Sequence, residues 1–473
     1  MKKFNYIFML GLLLAAVSMN SCKNEVDDIF DRSAAERLNE SVTYFEDALL
    51  DKGGKWQMEY FSNAGEQGYV YIMTFNKNGS VQMSGNNKFI NYLYTGSTAS
   101  AMFASQTSAW EIITDDGPVL SFNTYNPIFH LFATPEDIPS TEDLNELGYG
   151  HEGDYEFNLM RYTGDSLIMK GKKWGLEIVM TRLDPGTNDE VYLNHVVALA
   201  DSFFTAKVPL TFLTLPDGQR YKIRNAAKLL PELCPEYVYE EVNPETHERK
   251  WMEGDWISYK EEYNAIITPA GFSFMNPITL GDSLQHSTRF TVQHFMLQPD
   301  GSLLCRDDGV STIKADTLSK VFFDASIKWG SQINLSAGAL AEAYKAADQE
   351  MRTVFAATKR SIDCVEIYKT NSSAALPNTY VINFRVKSGN SPSDAFVEFI
   401  PVRVAEDQIR FQLTGVMNNN ANTFTSRVPL LKTFMELLGS TTFKLEPTSM
   451  LAPTTMKLID VNDPSSYLTF IIK

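Results

Sequence analysis

The sequence predicts a mainly β protein of the α+β class, in which antiparallel sheet units follow one another and a few helices pack against them. Three observations predict this fold class. Short segments alternate apolar and polar residues, as half-buried strands do. Turn sequences rich in Gly, Pro, Asn and Asp separate these segments. Helical apolar stripes occur in only a few places, while 44% hydrophobic residues over 473 positions suffice for several cores.

The first element is expected to be a helix at residues 33–50. Ser33 and Glu36 form a capping box, and apolar residues follow at helical spacing until Gly53. From residue 54 to residue 183 the pattern changes to about seven or eight alternating segments joined by tight turns. That number of antiparallel strands is the size of a small closed barrel or half-barrel.

The start of this β region, Gly54-Lys55-Trp56 after a short helix, resembles the opening of the lipocalins. In that family the Trp closes the barrel floor, and a basic residue of the last strand lies over it. The resemblance implies these roles for Trp56 and Arg182, and it implies a lipocalin-like barrel or half-barrel. A cation over an indole ring is also physically favourable. The alternative is that Trp56 is an ordinary core aromatic.

Pro185-Gly186 is the best domain boundary in the chain. It separates an N-terminal helix and β domain, residues 33–184, from a central β-rich domain, residues 187–335. A second long helix at 336–359 then opens a C-terminal helix and β domain, residues 336–473. Three turns of Pro-x-Gly form in the central domain hint at repeated hairpins, but they are too short and irregular to establish a duplication.

The N-terminus has the pattern of a bacterial lipoprotein precursor. Two lysines precede an apolar stretch that is shorter than a transmembrane helix, and Ser21-Cys22 follows. This ending resembles a relaxed lipobox, which implies that residues 1–21 are a signal peptide and that Cys22 is lipidated. The acidic tether at 22–32 resembles a surface-export tract, and a solvated linker is its alternative. An ordinary signal peptide with an incidental cysteine is the alternative to the lipobox.

Several segments resemble a family of uncharacterised Bacteroidetes-type surface lipoproteins with a domain of unknown function. The likeness is densest before residue 185, in the segments GPVLSFNTYNPIFHLFA, GHEGDYEFNLM, DSLIMKGKKWG and DDIFDRSAAERLNE. The resemblance implies a lipid-anchored position in the outer membrane, facing the cell exterior. It also implies a nutrient-acquisition setting beside outer-membrane transporter components, and it assigns no catalytic residue.

Charge and motifs narrow the function classes. A net charge of −17 disfavours nucleic-acid binding, since phosphate backbones require basic surfaces. No P-loop, G-x-G-x-x-G, H-E-x-x-H, C-x-x-C or G-x-S-x-G sequence occurs, so we expect no cofactor, no metal and no catalytic residue. Besides Cys22 there are three cysteines, and one disulfide or three buried thiols fit them equally well. They are Cys234, Cys305 and Cys364.

Aromatic side chains are the candidate ligand contacts, because exposed aromatic platforms stack on sugars or anchor peptides. One group is interleaved with Glu and Lys and comprises Tyr237, Tyr239, Trp251, Trp256 and Tyr259. A second possible pocket, at the barrel mouth, is lined by Tyr69, Tyr71, Tyr125 and Phe129. Packing within a β core is the competing explanation for both groups.

Three function classes follow. The leading one is a non-catalytic surface lipoprotein that captures a glycan or a peptide. The second is a hydrolase whose carboxylates come from the acidic clusters at 136–146 and 236–248, which solvated loops also explain. The third is a structural or adhesion component of an outer-membrane complex. A flat aromatic patch would favour the first class, convergent buried carboxylates the second and a long unpaired sheet edge the third.

Overall fold

A computed structural model gives the architecture of most of the chain. It describes residues 32–63, 65–134, 138–139, 150–203, 211–224, 229–242, 249–255, 263–281, 289–389 and 391–473. The expected signal peptide, Cys22, Trp256 and Tyr259 lie outside these residues, and so do the acidic side chains of the 136–146 cluster. Within the described part, no helix has the length and apolar character to span a bilayer.

The mainly antiparallel β fold predicted from the sequence is confirmed. The described residues form two nine-stranded half-barrel sheets, a closed barrel of eight strands and seven helices. The helices are α1 (Ala34–Leu50), α2 (Lys88–Thr95), α3 (Asp189–Phe203), α4 (Leu318–Phe322), α5 (Gly338–Val354), α6 (Asn419–Arg427) and α7 (Pro429–Ser440). Short 3₁₀ helices lie at Asp51–Gly53, His130–Phe132, Ile333–Leu335 and Ala356–Thr358.

The first unit consists of α1, α2 and a sheet ordered β4-β3-β2-β1-β9-β8-β7-β6-β5. Its strands are β1 (Lys55–Tyr60), β2 (Tyr69–Phe75), β3 (Ser80–Asn87), β4 (Met102–Ala109), β5 (Glu111–Thr114), β6 (Pro118–Ser121), β7 (Glu156–Tyr162), β8 (Ser166–Gly171) and β9 (Glu177–Arg182). Only Trp110 separates β4 from β5, so the chain passes directly from one edge of the sheet to the other. In this half-barrel the two edge strands, β4 and β5, are consecutive in the chain, while β1 and β9 pair at the centre of the sheet.

The second unit consists of α3 and a sheet ordered β13-β12-β11-β10-β18-β17-β16-β15-β14. Its strands are β10 (Thr211–Thr214), β11 (Arg220–Arg224), β12 (Glu232–Val242), β13 (Arg249–Asp255), β14 (Ala265–Thr268), β15 (Gly271–Leu280), β16 (Phe290–Leu297), β17 (Leu303–Cys305) and β18 (Thr312–Ala315). This order repeats that of the first sheet strand for strand. Both sheets pair their first strand with their second and their last.

The third unit is the closed barrel with α4 to α7. Its strands are β19 (Trp329–Ser331), β20 (Arg360–Lys369), β21 (Tyr380–Ser388), β22 (Ser391–Ala405), β23 (Gln408–Met417), β24 (Thr442–Pro447), β25 (Thr455–Asp460) and β26 (Tyr467–Ile472). The strand that closes the barrel lies before the boundary expected at residue 336. Trp329 pairs with Ile367 of β20 and with Ile472 of β26, which joins the two ends of the meander.

Side chains fill the interiors of the first and third units. In the first unit the segment after β6 inserts Phe129 and Phe132, which contact the ring of Tyr60 at centroid distances of 5.5 Å. In the third unit α5 and α7 contribute Tyr344 and Phe434, whose rings stack at 5.4 Å within the same core as the strand residues. Both interiors are therefore filled by buried side chains.

The three cysteines of the described residues are free and buried. Of the two alternatives left by the sequence, the structure shows three buried thiols and no disulfide among them. Burial raises the pKa values of the Cys305 and Cys364 thiols to about 11, so both stay protonated at neutral pH.

Helix α3 joins the first two units, because it lies across the outer face of the first sheet. Lys55 Nζ and Ser84 Oγ each donate to a different carboxylate oxygen of Asp189, both at 2.7 Å. An apolar cluster beside these bonds contains Phe61, Val70, Ile72, Leu193 and Ile266, which come from both sheets and from α3. Gly68 permits this close approach, since a Cβ at that position would lie 2.7 Å from the Cβ of Ile266.

The third unit contacts the second through the loop between β24 and β25. Leu451 of this loop is buried in the core of the second unit. The backbone of Ala315 donates to the Met450 carbonyl at 2.6 Å, and Thr211 Oγ1 donates to the Leu451 carbonyl at 3.2 Å. The loop thus closes the second core with a side chain from its neighbour.

Candidate functional site

Trp56 and Arg182 together cap the carboxyl end of α1. Trp56 is completely buried, and its Nε1 donates to the Leu49 carbonyl at 3.0 Å. Arg182 lies over the indole, with its Cζ 4.1 Å from the ring centroid, and it also donates to the Ala48 carbonyl at 3.1 Å. Carbonyls at a helix end lack intrahelical partners, and a cation there is favourable. The Gly54 that precedes this strand has φ +64, and a Cβ would meet the Phe75 carbonyl oxygen at 2.4 Å.

The third unit repeats this arrangement at Trp329. Its Nε1 donates to the Phe322 carbonyl at 2.9 Å. Phe322 precedes Trp329 by seven residues, and Leu49 precedes Trp56 by the same number. Its ring stacks on the ring of Phe322 at 5.3 Å instead of lying beneath a guanidinium. The sequence signal that could have revealed this repeat is Lys328-Trp329 after a short apolar segment, which matches Lys55-Trp56.

The pocket expected at the first barrel mouth is filled by core side chains. Tyr71 is fully buried, and its hydroxyl donates to the Ile128 carbonyl at 2.9 Å. Tyr69 is 4% exposed and donates to Glu66 Oε2 at 3.0 Å. Burial raises the pKa values of both phenols well above the usual range. Tyr125 is 58% exposed and so does not share an enclosed site with the other two.

The second aromatic group lies on the outermost hairpin of the second sheet. Tyr237 and Tyr239 are on β12 and Trp251 is on β13. In the register of this hairpin, Tyr239 pairs with Met252 and Glu240 pairs with Trp251.

A cleft opens where the first unit, helix α3 and the second unit meet. Its cavity volume is about 590 Å³, within the range of small-ligand sites. One wall is the start of β2 and the end of β3, and the opposite wall is the second half of α3, from Asn194 to Asp201. Residues 98–101, which lead into β4, form the rim, and Ile267 of β14 contributes from the second sheet.

The cleft lining combines four side-chain amides with aliphatic residues and carries one charge of each sign. Asn86 Nδ2 donates to Asn194 Oδ1 at 2.8 Å across the cleft, and Asn194 is exposed. Asn87 Oδ1 caps α2 by accepting the backbone N–H groups of Phe89 and Ile90, both at 2.9 Å. One cation, Lys88, and one anion, Asp201, are the charged side chains among its lining residues. Amides donate and accept hydrogen bonds, so this lining suits a neutral ligand rich in hydroxyl or peptide groups.

The cleft lies within a region of the sequence that matches a known protein family. The model of a protein family described as "Domain of unknown function (DUF4302)" matches residues 26–292, which is more than half of the chain. The chain belongs to this family. The DUF4302 region contains the whole first unit and the cleft, and it ends within β16 of the second unit. Membership confirms the expected relation to a family with a domain of unknown function. No curated protein matched the sequence.

A second cleft lies in the third unit, beyond the DUF4302 region. Its volume is about 670 Å³, and its amides bond mainly to its own walls. Asn418 Nδ2 and Asn420 Nδ2 both donate to the Asp394 carbonyl, at 3.0 and 3.1 Å. The amide groups that could bind a ligand there are therefore largely occupied by hydrogen bonds within the protein.

Two carboxylates share one side-chain amide at this second cleft, which Asp394 helps to line. Asn383 Nδ2 lies 3.0 Å from Glu366 Oε2 and 2.9 Å from Asp394 Oδ1. Glu366 is buried, and Lys328 Nζ at 2.8 Å and Arg385 Nη1 at 3.6 Å balance its charge. The oxygens of Glu366 are already engaged by two cations and an amide, so this pair is better suited to holding strands than to hydrolysis. Among the described residues, no group of three or more His, Cys, Asp or Glu side chains is placed to hold a metal.

Proposed function

We propose that this protein is a lipid-anchored protein of the outer-membrane surface that captures a glycan or a peptide for uptake without altering it chemically. The cleft between the first unit and α3 carries the capture part of this proposal. It is a concave surface of the DUF4302 region with the size and the amide groups that a hydroxyl-rich or amide-rich ligand requires. Its position between units is one where ligand sites are commonly found.

The anchor in this proposal is the acyl group on Cys22. Acyl chains contribute about 0.8 kcal/mol per buried CH₂, so several chains on one residue hold even an acidic protein at a bilayer. Cys22→Ser is expected to abolish metabolic lipid labelling and to move the protein from the membrane fraction to the soluble fraction. Cys234→Ser, which alters one of the buried thiols, is the matched control and leaves both readouts unchanged. A free, unacylated N-terminus downstream of Cys22 in mass spectrometry would refute the anchor.

Capture in the cleft is tested with arrays of glycans and of synthetic peptides on the purified chain. Asn194→Ala removes an exposed amide from the cleft wall and its bond to Asn86. We expect it to weaken binding of the retained ligand about fivefold, since one net hydrogen bond is lost. Asn371→Ala, which changes an exposed amide of the second cleft, is the control with unchanged affinity. Ligands that bind both variants equally well would exclude the first cleft as the site.

A role as an assembly component is the second candidate function. The observation that favours it is strand β4, which pairs with β3 alone and so leaves one edge of the first sheet open. An open edge is a place where another chain can add a strand.

A further inference from the structure

Strand β4 presents unused backbone hydrogen-bonding groups. The backbone N–H of Trp110 donates to the Gly79 carbonyl at 3.0 Å, which makes residues 79 and 110 a hydrogen-bonded pair at the end of this ladder. In antiparallel strands such pairs recur at every second residue. Residues 102, 104, 106 and 108 therefore bond to β3, while 103, 105, 107 and 109 direct their N–H and C=O groups outward. Among the described residues, none of these outward groups has a hydrogen-bond partner.

The sequence of β4 lacks the features that protect natural sheet edges. The strand reads MFASQTSA, with no charged residue and no proline. Its eight residues pair with β3 in unbroken register, without a bulge. Lysines, prolines and bulges are the usual means by which proteins prevent pairing at an exposed edge. An edge that is long, regular and uncharged is therefore receptive to another strand.

The cleft adjoins this edge. Residues 98–101 form the cleft rim and lead directly into β4 at Met102. On the other side of the ladder, Asn87 pairs with Met102, so the amide-rich wall of the cleft lies at the same end of the strand. A strand laid along β4 would thus extend at one end over the cleft.

We propose that the ligand is an extended peptide segment, which adds to the first sheet as a strand beside β4 and places its end in the cleft. This inference rests on the proposed capture function and names the ligand class. The main chain of the peptide bonds to the outward groups of residues 103, 105 and 107, which makes recognition tolerant of sequence. The cleft supplies preference at one end, where the neutral amides of Asn86 and Asn194 meet the peptide.

The test uses the purified full chain and an array of eight-residue synthetic peptides with apolar, acidic and basic side chains. Thr107→Pro removes one outward N–H and places a ring at the edge without touching the bonds to β3. We expect it to weaken peptide binding at least about fivefold, while melting stays as in the parent chain. Thr107→Val changes the side chain and keeps the N–H, so its affinity is unchanged. Ser105→Pro repeats the test at a second outward position. Its control is Ser105→Ala, which keeps the N–H but also loses the hydroxyl that accepts from Gln82 and Ser84.

Hydrogen exchange gives an independent readout that does not depend on a variant. Bound peptide slows exchange of the amides of residues 103, 105 and 107, and it leaves 104 and 106 as they were. Peptide binding that is equally strong in both proline variants would overturn the strand pairing. Binding of a glycan that is lost in Asn194→Ala would do the same. Either result would leave the capture function standing. Absence of any ligand sensitive to Asn194→Ala would overturn both. Binding only to folded partner proteins, blocked by Thr107→Pro, would overturn the peptide assignment in favour of assembly.

Discussion

The contact between Trp56 and Arg182 leads to a quantitative prediction. Trp56→Ala removes a fully buried indole and leaves the Leu49 carbonyl without its donor. Large-to-small changes of buried aromatics cost about 3–5 kcal/mol, which includes the cavity that remains. The loss of the carbonyl's partner places the expected value near the upper end of that range. The first unit is therefore expected to lose most of its stability in this variant.

A double-mutant cycle isolates the part due to stacking. The Arg182 side chain is 5% exposed, so its cation lies over the indole in a largely desolvated setting. Such pairs contribute about 2 kcal/mol. Arg182→Met also removes bonds to helix carbonyls, but these losses occur in both halves of the cycle and cancel. We expect a coupling energy of about 1–2 kcal/mol between the two positions.

Trp329 provides the internal control. It has the same burial and the same hydrogen bond to a carbonyl seven residues earlier, but no cation lies over its ring among the described residues. Trp329→Ala is expected to cost a similar amount, with no coupling to Arg182→Met. Hydrogen exchange of the β1 and β19 amides during urea unfolding reports each unit separately, as a chain with several cores requires. A coupling between Trp56 and Arg182 within error of zero would refute the stacking.

Three further predictions address the contacts between units. Burial raises the pKa of the half-buried Glu59 carboxyl to about 7, despite the nearby Arg306 cation. The folded state therefore holds this proton more tightly than the unfolded state, so stability is fully present below pH 4.5 and is lost as pH rises through 7. The loss is at most about 3 kcal/mol, and Glu59→Gln is expected to flatten this part of a stability–pH profile. Leu451→Ala is expected to cost about 2–5 kcal/mol in the second unit and to lower protection of β14 amides more than that of β1 amides. Residues 33–184 expressed alone are expected to bind an apolar dye through the uncovered Ile72 face, and extension through α3 to residue 203 is expected to reduce that binding.

Local patterns identified much of the fold. The capping box at Ser33 forms as the sequence indicates, because it depends only on residues three apart. Strand alternation located the β segments, and it also indicated which side chains of β2 face the core. It could not show whether that interior was empty, because the Phe129 and Phe132 that fill it come from a distant, irregular segment.

The sequence of β2 indicates that the outer face of the first sheet is covered. β2 reads YVYIMTF, and its even positions Val70 and Ile72 are as apolar as its odd ones. Strands buried on both faces have continuous apolar runs of this kind. The cleft itself had no such signal, since Asn86 and Asn194 meet only after α3 has docked on the sheet.

The pairing of first and last strands has a consequence for a chain that is synthesised from its N-terminus. In each unit the first strand pairs with the last. Trp56 therefore gains its partner Arg182, and Trp329 its partner Ile472, only after the last strand has been synthesised. Most intervening strands can pair as they appear, because each bonds to the strand before it. The exceptions are β5 and β14, which pair only with the strand that follows. Closure is therefore the final event of every unit, and the units close in order from the N-terminus. Synthesis that stops before β9 leaves β1 with an open edge, whereas synthesis that continues past β9 completes the pairing of β1.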